Sequence, residues 1–282
     1  MTLREAVQHG QWLLEEAGSS SAALDARLLL AEAAGVDSTR LMMESGSVLA
    51  PEKATRFGGF CSRRAAGEPV AYILGRHDFY KHSFIVSPDV LVPRPETEHL
   101  IEAVLEYFPQ AVSLLDIGTG SGIIPVTLKE ELPGLLRCVA GDISFAALCV
   151  ARRNAEVILG TEHGVDFIES DIYSAVTGRF DLIVSNPPYL TLEEYAAVEP
   201  GVRNYEPQLA LVAGVEGMDC YRKIIFEARD HLHPGGGLVL EVSDATAKGC
   251  AAFAEATGLR VLRLLKDYAG HERVLVLRRG PG

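Results

Sequence analysis

The chain has 282 residues, of which 48% are hydrophobic and 23% charged, and its formal net charge is −12. This length accommodates a full α/β domain plus a smaller one, and the composition is ordinary for a soluble globular protein. The acidic balance and the absence of long basic runs argue against a dedicated binder of duplex nucleic acid, because phosphate contacts require a basic face. No apolar run approaches the ~20 residues that a membrane helix needs, and the N-terminus lacks a signal-peptide core. We therefore expect a cytoplasmic monomer that binds neither membranes nor nucleic acid directly.

The cysteines and histidines give little indication of a metal site. Five cysteines are far apart and form no C-x-x-C pair: Cys61, Cys138, Cys149, Cys220 and Cys250. This spacing favours reduced core thiols over a disulfide framework or a zinc site. His231 and His233 precede a Pro-Gly-Gly-Gly run at the expected end of a helix, where histidines often bind the last carbonyls. We expect no metal.

The first 75 residues show helical patterns. Apolar residues recur at helical spacing up to Gly18, a serine cluster follows that suits an N-cap, and Pro51 opens a further helical segment. Residues 1–75 are therefore predicted to form a small helical bundle. Residues 76–94 combine aromatic and β-branched residues with prolines, which predicts a β-hairpin linker.

From residue 95 to residue 282, strand and helix patterns alternate. Strands are predicted over 112–118, 136–143, 165–171, 180–186, 237–243, 259–267 and 272–279. Such alternation predicts an α/β fold, a Rossmann-like and mostly parallel seven-stranded sheet with helices on both faces. The last two strands are close in sequence, so we expect them to be antiparallel at one edge.

A glycine-rich turn follows the first strand of this sheet, in the segment LLDIGTGSGI. Gly118, Gly120 and Gly122 would let the backbone turn sharply and let a ligand approach closely at the carboxyl edge. A dinucleotide fingerprint would read G-x-G-x-x-G, whereas the third glycine here comes one residue early. That spacing suits a cofactor without a pyrophosphate, although a purely structural turn would explain this motif taken alone.

Acidic residues close the next two strands. Asp142 stands 20 residues beyond Gly122, where a carboxylate can accept hydrogen bonds from a ribose diol. Asp171 closes the third strand, and Ile172 after it offers an apolar wall for a base. One strand-end aspartate is usually a helix cap or a solvated turn. Three successive strands that end in this chemistry predict a nucleoside site.

The fourth strand ends in Asn186-Pro187-Pro188-Tyr189. An amide nitrogen is a poor nucleophile because its lone pair is delocalised. If the Asn186 side-chain oxygen and the Pro187 carbonyl accepted both of its N–H bonds, they would hold the lone pair toward an electrophile and stabilise the developing positive charge. Tyr189 offers a π face to a planar group or to a sulfonium. Direct methyl transfer in this arrangement requires no strong general base. A rigid turn at the end of a strand is the structural alternative.

These motifs resemble those of class I S-adenosylmethionine-dependent methyltransferases that act on planar amide or exocyclic amino groups. From about residue 60 onward, the chain further resembles the release factor glutamine methyltransferases (the PrmC/HemK family). The segments that carry this resemblance are GEPVAYILGRHDFY, VLVPRPETEHLIE, VRNYEPQLAL, GMDCYRKII and DYAGHERVLVL. RPETE is the most diagnostic, because related ribosomal-protein glutamine methyltransferases usually have Arg-Ser-Pro there. The family commonly has Glu followed shortly by Gly and Gln where this chain has Glu-Val-Ser-Asp at 241–244, so that segment is given no role.

The resemblance implies N5 methylation of the glutamine in the Gly-Gly-Gln motif of class 1 peptide chain release factors. The helical domain would dock a second surface of the release factor. From resemblance and pattern together, the expected cofactor-binding residues are Gly118, Thr119, Gly120, Ser121, Gly122, Asp142, Asp171, Ile172 and Asn186. Asn186, Pro187 and Tyr189 are expected to be catalytic, and with Pro188 they would bind the substrate amide.

Two other functions are compatible with the motifs. A nucleic-acid amino methyltransferase of the adenine-N6 type uses the same Asn-Pro-Pro-Tyr logic on a flipped base, but it predicts a basic groove and a target-recognition region. A non-catalytic adaptor that binds translation factors is the second alternative, and the intact glycine turn and Asn-Pro-Pro-Tyr segment argue against it.

Overall fold

The computed structural model describes residues 1–281. Two compact units make up this part of the chain. The first comprises Met1–Arg76 together with Glu199–Tyr205, and the second begins at His77 and contains the remaining residues.

The first unit is helical, which confirms the predicted bundle. Its N-terminal helices are α1 (Leu3–Glu16), α2 (Ala22–Ala34), α3 (Ser38–Met43), α4 (Pro51–Ala65) and α5 (Val70–Leu74). A capping box starts α1, because Thr2 Oγ1 accepts from Glu5 N at 3.2 Å and Glu5 Oε2 accepts from Thr2 N at 2.8 Å. Leu14, Leu29 and Leu30 are fully buried in its core.

The second unit holds the sheet. After a two-stranded hairpin, β1 (Arg76–Phe79) and β2 (His82–Ile85), the remaining strands are β3 (Ser113–Ile117), β4 (Arg137–Asp142), β5 (Val165–Glu169), β6 (Phe180–Ser185), β7 (Leu232–Glu241), β8 (Leu259–Lys266) and β9 (Glu272–Arg279). These seven strands form one sheet in the order β5-β4-β3-β6-β7-β9-β8. The first five in that order are parallel, and β9 is antiparallel to both β7 and β8. The predicted seven-stranded, mostly parallel fold is confirmed.

Helices cover both faces of this sheet. They are α6 (Glu98–Tyr107), α7 (Ile123–Glu131), α8 (Phe145–Leu159), α11 (Asp219–His231) and α12 (Ala247–Ala256). The short helix α9 (Leu192–Ala197) buries no residue, and α10 (Pro200–Tyr205) belongs to the first unit. Alternate residues of the central strands enter two separate cores. Leu114 and Leu182 pack with α6 and α7, whereas Leu115 and Ile183 pack with α11 and α12. Strands buried on both faces explain why they read as continuous apolar runs. Within residues 1–281, no helix combines the length and the apolar character that crossing a membrane requires.

Strand β7 starts earlier than the sequence indicated. It pairs Leu232 with Phe180 and then shifts register before Gly237 pairs with Leu182, so the Pro-Gly-Gly run becomes an irregularity inside the strand. Gly237 is required because the Phe108 ring occupies the space that a Cβ would take. His231 was expected to bind carbonyls at the helix end. Its ring instead stacks on Tyr173, with centroids 4.4 Å apart.

Candidate active site

The predicted motifs meet where the strand order of the sheet reverses. Strands β4 and β5 lie on one side of β3, and β6 lies on the other, so the crevice between the ends of β3 and β6 is a topological switch point. Ile117 pairs with Ser185 in register, and the Ser185 hydroxyl donates to Ile117 O at 2.7 Å. Gly118 and Asn186 therefore leave the sheet side by side.

A cavity of about 260 Å³ opens at this point. Ten of the predicted site residues line it: Gly118, Thr119, Gly120, Ser121, Asp142, Asp171, Ile172, Asn186, Pro187 and Pro188. Gly122 lies behind the turn against Ala151, and Tyr189 lines a second hollow together with Met218 and Thr246. Most of the site residues expected from the sequence therefore surround one cavity, and Gly122 and Tyr189 lie outside it.

The glycine turn has the conformation that its sequence requires. Gly118, Gly120 and Gly122 have φ angles of 72°, 56° and 81°, in the left-handed region that favours glycine. The N–H groups of Gly118 and Thr119 both donate to Gly141 O, at 2.9 and 3.0 Å. Gly122 then caps the N-terminus of α7. The loop is consequently fixed by backbone geometry, and its residues 118–121 line the cavity.

Asp142 is held in place before any ligand arrives. Its Oδ2 accepts from Gly120 N and its Oδ1 accepts from Ser144 N, both at 2.9 Å. Burial raises the pKa of this carboxyl, and the two backbone hydrogen bonds oppose that rise. Each carboxylate oxygen has more than one acceptor site. The side chain can therefore still accept a hydrogen bond from a hydroxyl group in the cavity while it stabilises the glycine turn.

Ile172 is held in a strained backbone conformation. Its φ is 54°, which is a true outlier for a β-branched residue and costs of order 1–3 kcal/mol. Ser170 Oγ fixes the bend, because it donates to Ile172 O at 3.0 Å and accepts from Ala175 N at 3.1 Å. The strain places Ile172 on the cavity wall beside the exposed Asp171.

Asp116 was not among the predicted site residues. It is fully buried two residues before the glycine turn, and neither carboxylate oxygen has a hydrogen-bond partner within residues 1–281. Burial raises its pKa to about 7. An uncompensated buried carboxylate is costly, and a cationic ligand in the adjacent crevice would offset that cost. Its position in D-x-G-x-G was the sequence signal that could have identified it.

The Asn186 side chain is bound to residues that the sequence did not connect with it. Asn186 Nδ2 donates to Thr97 Oγ1 at 3.2 Å, and Thr97 Oγ1 donates to Glu241 Oε2 at 2.7 Å. Thr97 and Glu241 are buried, and burial raises the pKa of Glu241 to about 7. Thr97 belongs to the RPETE segment, which served only as a mark of resemblance. Glu241 belongs to the segment that received no role.

A second buried carboxylate fixes the segment that precedes Thr97. Glu206 accepts from Arg94 Nη2 at 2.7 Å and from Val92 N at 3.1 Å. Glu206 is almost fully buried, whereas Arg94 is partly exposed and lines the cavity. The ion pair therefore holds a guanidinium on the wall of the site.

Two family models and several curated relatives match this chain. Residues 5–75 match the model of the PrmC N-terminal domain, and residues 96–200 match that of the methyltransferase small domain. A release factor glutamine methyltransferase of Cereibacter sphaeroides is 45% identical, and the match covers 94% of both chains. The namesake of Bradyrhizobium diazoefficiens is 40% identical over 95% of this chain and 92% of its own. The release factor glutamine methyltransferase of Geobacter sulfurreducens is 38% identical over 97% of this chain and 95% of its own.

Two solved structures share the fold at low sequence identity. A methyltransferase from Pyrococcus furiosus has a TM-score of 0.53 at 22% identity, covering 78% of this chain and 97% of that one. A ribosomal protein L11 methylase from Lactobacillus delbrueckii has a TM-score of 0.50 at 20% identity, covering 66% and 80%. These likenesses confirm the methyltransferase architecture.

Proposed function

The chain belongs to the release factor glutamine methyltransferase family, and from that membership we propose that it transfers a methyl group from S-adenosylmethionine to a glutamine side-chain amide of a peptide chain release factor. The substrate is the glutamine of the Gly-Gly-Gln motif in class 1 release factors, methylated at N5. The observation that carries the proposal is that Asn186, Pro187 and Pro188 line the same cavity as the glycine turn and Asp142.

The cofactor side of this cavity fits a nucleoside that carries a cation. Asp142, Ile172 and the glycine turn line the cavity. Asp142 would accept hydrogen bonds from the ribose hydroxyls, Ile172 would pack against the base, and the glycine turn would allow close backbone approach. Asp116 is buried behind the turn, where the positive charge of the bound cofactor would offset the cost of its carboxylate. The group that S-adenosylmethionine supplies is an electrophilic methyl on a positively charged sulfur.

The opposite wall holds the substrate amide. The Asn186 side-chain oxygen and the Pro187 carbonyl each accept one N–H bond of the glutamine amide. These two acceptors fix the plane of the amide so that the nitrogen lone pair faces the methyl group, and they stabilise positive charge as it develops on nitrogen. Neither proline has an N–H that could compete for these acceptors. Tyr189 lines the neighbouring hollow rather than this cavity, so we assign it no contact with the amide. The methylated nitrogen loses its extra proton to solvent.

We assign the remaining parts of the chain by the same reasoning. Residues 1–75 dock a second surface of the release factor, 76–94 form the hairpin linker, and 95–282 form the catalytic domain. We propose that the protein is cytoplasmic, because its substrate takes part in translation, and that it acts as a monomer. A nucleic-acid amino methyltransferase is disfavoured by the net charge of −12 and by the relatives.

The decisive experiment measures transfer of labelled methyl from S-adenosylmethionine to a purified class 1 release factor. The same factor with its Gly-Gly-Gln glutamine replaced by alanine, and duplex DNA, are assayed in parallel. We expect label on the intact factor alone. Label on DNA, or equal label on both forms of the factor, would refute the proposed substrate. Failure to bind S-adenosylmethionine, with no transfer to any of the three, would favour the adaptor alternative.

A further inference from the structure

We propose that Glu241 is a positioning residue for Asn186: through the Thr97 hydroxyl, its carboxylate determines which end of the Asn186 side-chain amide faces the substrate. The inference deepens the proposed function and rests on it, because the benefit of this orientation is the capture of a substrate amide. It gives a role to Glu241, the residue of the 241–244 segment that matches the family pattern.

The three residues come from distant parts of the chain and converge beside the cavity. Asn186 follows β6, Glu241 ends β7, and Thr97 ends a short 3-10 turn, Pro95–Thr97. Strands β6 and β7 pair in parallel, with Ser185 opposite Leu240, so Asn186 and Glu241 follow paired residues. Thr97 bridges them through its single hydroxyl, at 3.2 Å from Asn186 Nδ2 and 2.7 Å from Glu241 Oε2.

Counting protons along the Asn186–Thr97–Glu241 hydrogen-bond network fixes the direction of each hydrogen bond. An ionised carboxylate can only accept, so the Thr97 hydroxyl must give its one proton to Glu241. The hydroxyl then offers Asn186 nothing but lone pairs. Asn186 must therefore turn its NH2 group toward Thr97, which leaves its Oδ1 to accept an N–H from the substrate amide.

Protonation of Glu241 would allow the opposite arrangement. A neutral carboxyl can donate to Thr97, whose own proton is then directed at Asn186 and is satisfied by Oδ1. The NH2 group of Asn186 would then face the cavity, where the substrate amide also presents donors. Two donors that face each other cannot form the hydrogen bond that positions the nitrogen. A single proton at Glu241 thus changes the site from an acceptor to a donor.

The surroundings of Glu241 place this change near neutral pH. Burial is the largest influence and raises its pKa, and Glu96 acts in the same direction. The hydrogen bond from Thr97 opposes the rise, as do the cations Arg273 and Arg94, and the pKa lies at about 7. Two phenols also face the group from other elements, at Tyr189 and Tyr221, and the Tyr221 hydroxyl donates to Glu241 O at 3.0 Å.

The first test reads the orientation without any substrate. In the full-length protein labelled with ¹⁵N, the side-chain amide signals of Asn186 are assigned by their loss in Asn186→Ala. We expect these signals to titrate with an apparent pKa near 7 in the wild type. The titration should persist in Thr97→Ser and disappear in Glu241→Gln and in Thr97→Val. Asn186 signals that keep the same titration in Glu241→Gln would overturn the proposal.

The second test uses the transfer reaction to release factor. We expect kcat to fall below about pH 7 in the wild type and this acidic limb to vanish in Glu241→Gln. Thr97→Val should lower kcat by roughly 100-fold with little change in KM, since the Asn186 amide loses its orientation. Thr97→Ser should restore kcat to within about threefold, because it keeps the hydroxyl.

A matched control separates positioning from packing. Thr127 is a fully buried threonine of α7 whose hydroxyl has no hydrogen-bond partner within residues 1–281. Thr127→Val should therefore leave kcat and the pH profile unchanged. A Thr97→Val enzyme that kept the wild-type kcat would refute the positioning role. If the wild type methylated no release factor, the proposed function would fail, whereas the amide titration would still decide the role of Glu241.

Discussion

The two walls of the crevice are built in different ways. On the wall proposed to hold the cofactor (residues 118–122, 142 and 170–172), the contacts are short in sequence: Ser170 bonds to Ile172, and Gly120 bonds to Asp142, 22 residues away. On the substrate wall, Thr97 reaches Asn186 across 89 residues and Glu241 across 144. The cofactor wall owes its shape to backbone conformation, and the substrate wall owes its function to side-chain hydrogen bonds between distant elements.

This difference has a physical consequence for substitutions. A wall made of strained backbone depends on its glycines, on single strained residues and on the short-range side-chain hydrogen bonds of Asp142 and Ser170. A wall made of side chains fails when one donor or acceptor is removed, because the remaining partners are buried and unsatisfied. The substitutions below test whether the two walls respond in these two ways.

The largest effect is expected at Asn186. Removal of its amide in Asn186→Ala takes away an acceptor that acts on developing charge, so methyl transfer should fall by roughly 10³-fold. Asn186→Asp should also be slow, since a carboxylate cannot donate to Thr97 Oγ1. Both are measured as kcat for transfer to release factor. Folding is checked by thermal unfolding, and an Asn186→Ala enzyme with near wild-type kcat would contradict the assignment.

The next effect is a dependence of stability on pH that originates at Asp116. Its folded pKa of about 7 lies above the ordinary value of 3.8, so between these values the folded state binds the proton more tightly than the unfolded state. The free energy of unfolding of the ligand-free protein should therefore fall as pH rises through this window. Asp116→Asn should remove roughly 2 to 3 kcal/mol of that decline between pH 5 and pH 8.

The measurement is urea unfolding at both pH values. Glu241 contributes in the same direction between 4.5 and about 7, so part of the decline should remain in Asp116→Asn. The exposed Asp230 provides the control, since Asp230→Asn should keep the full decline. An unchanged slope in Asp116→Asn would show that the buried carboxyl does not titrate in this range.

The contrast between the walls also explains what the sequence could predict. The sheet, the glycine turn and the strand-end residues Asp142 and Ile172 were accessible, because each is encoded within one strand–turn–helix segment. The partners of Asn186 were not, although Thr97 and Glu241 both lie in segments that bear on the family resemblance. No local pattern indicates that a threonine before α6 will meet the end of β7. That contact exists only once the sheet has formed.

The glycine turn allows a matched comparison of conformation with packing. Gly118 and Gly122 share a positive φ, but a Cβ at Gly118 meets nothing within 4 Å, whereas one at Gly122 lies 3.0 Å from Ala151 Cβ. Gly118→Ala should cost about 1 kcal/mol of stability and Gly122→Ala about 2 to 4. In cofactor binding, measured by calorimetry, Gly118→Ala should show the greater loss of affinity because Gly118 lines the cavity. Equal losses of stability in Gly118→Ala and Gly122→Ala would mean that α8, which carries Ala151, shifts to make room for the added Cβ.

The smallest effect, and the most specific to the cofactor wall, is expected at Ile172. Asparagine tolerates the left-handed conformation better than isoleucine, so Ile172→Asn should leave stability within about 1 kcal/mol of the wild type. It removes the apolar wall, however, and affinity for S-adenosylhomocysteine should fall about tenfold. Ile172→Val keeps both the wall and the strain and should bind almost as the wild type does.

Tyr80 provides the control, since its φ of 56° is almost the same and it lies in the turn between β1 and β2, away from the cavity residues. Tyr80→Asn relieves the same kind of strain and should leave cofactor affinity unchanged. If both asparagine variants weakened binding alike, the effect would be a general loosening of the domain. If only Ile172→Asn does so, the strain at Ile172 persists because it places an apolar side chain where the cofactor base packs.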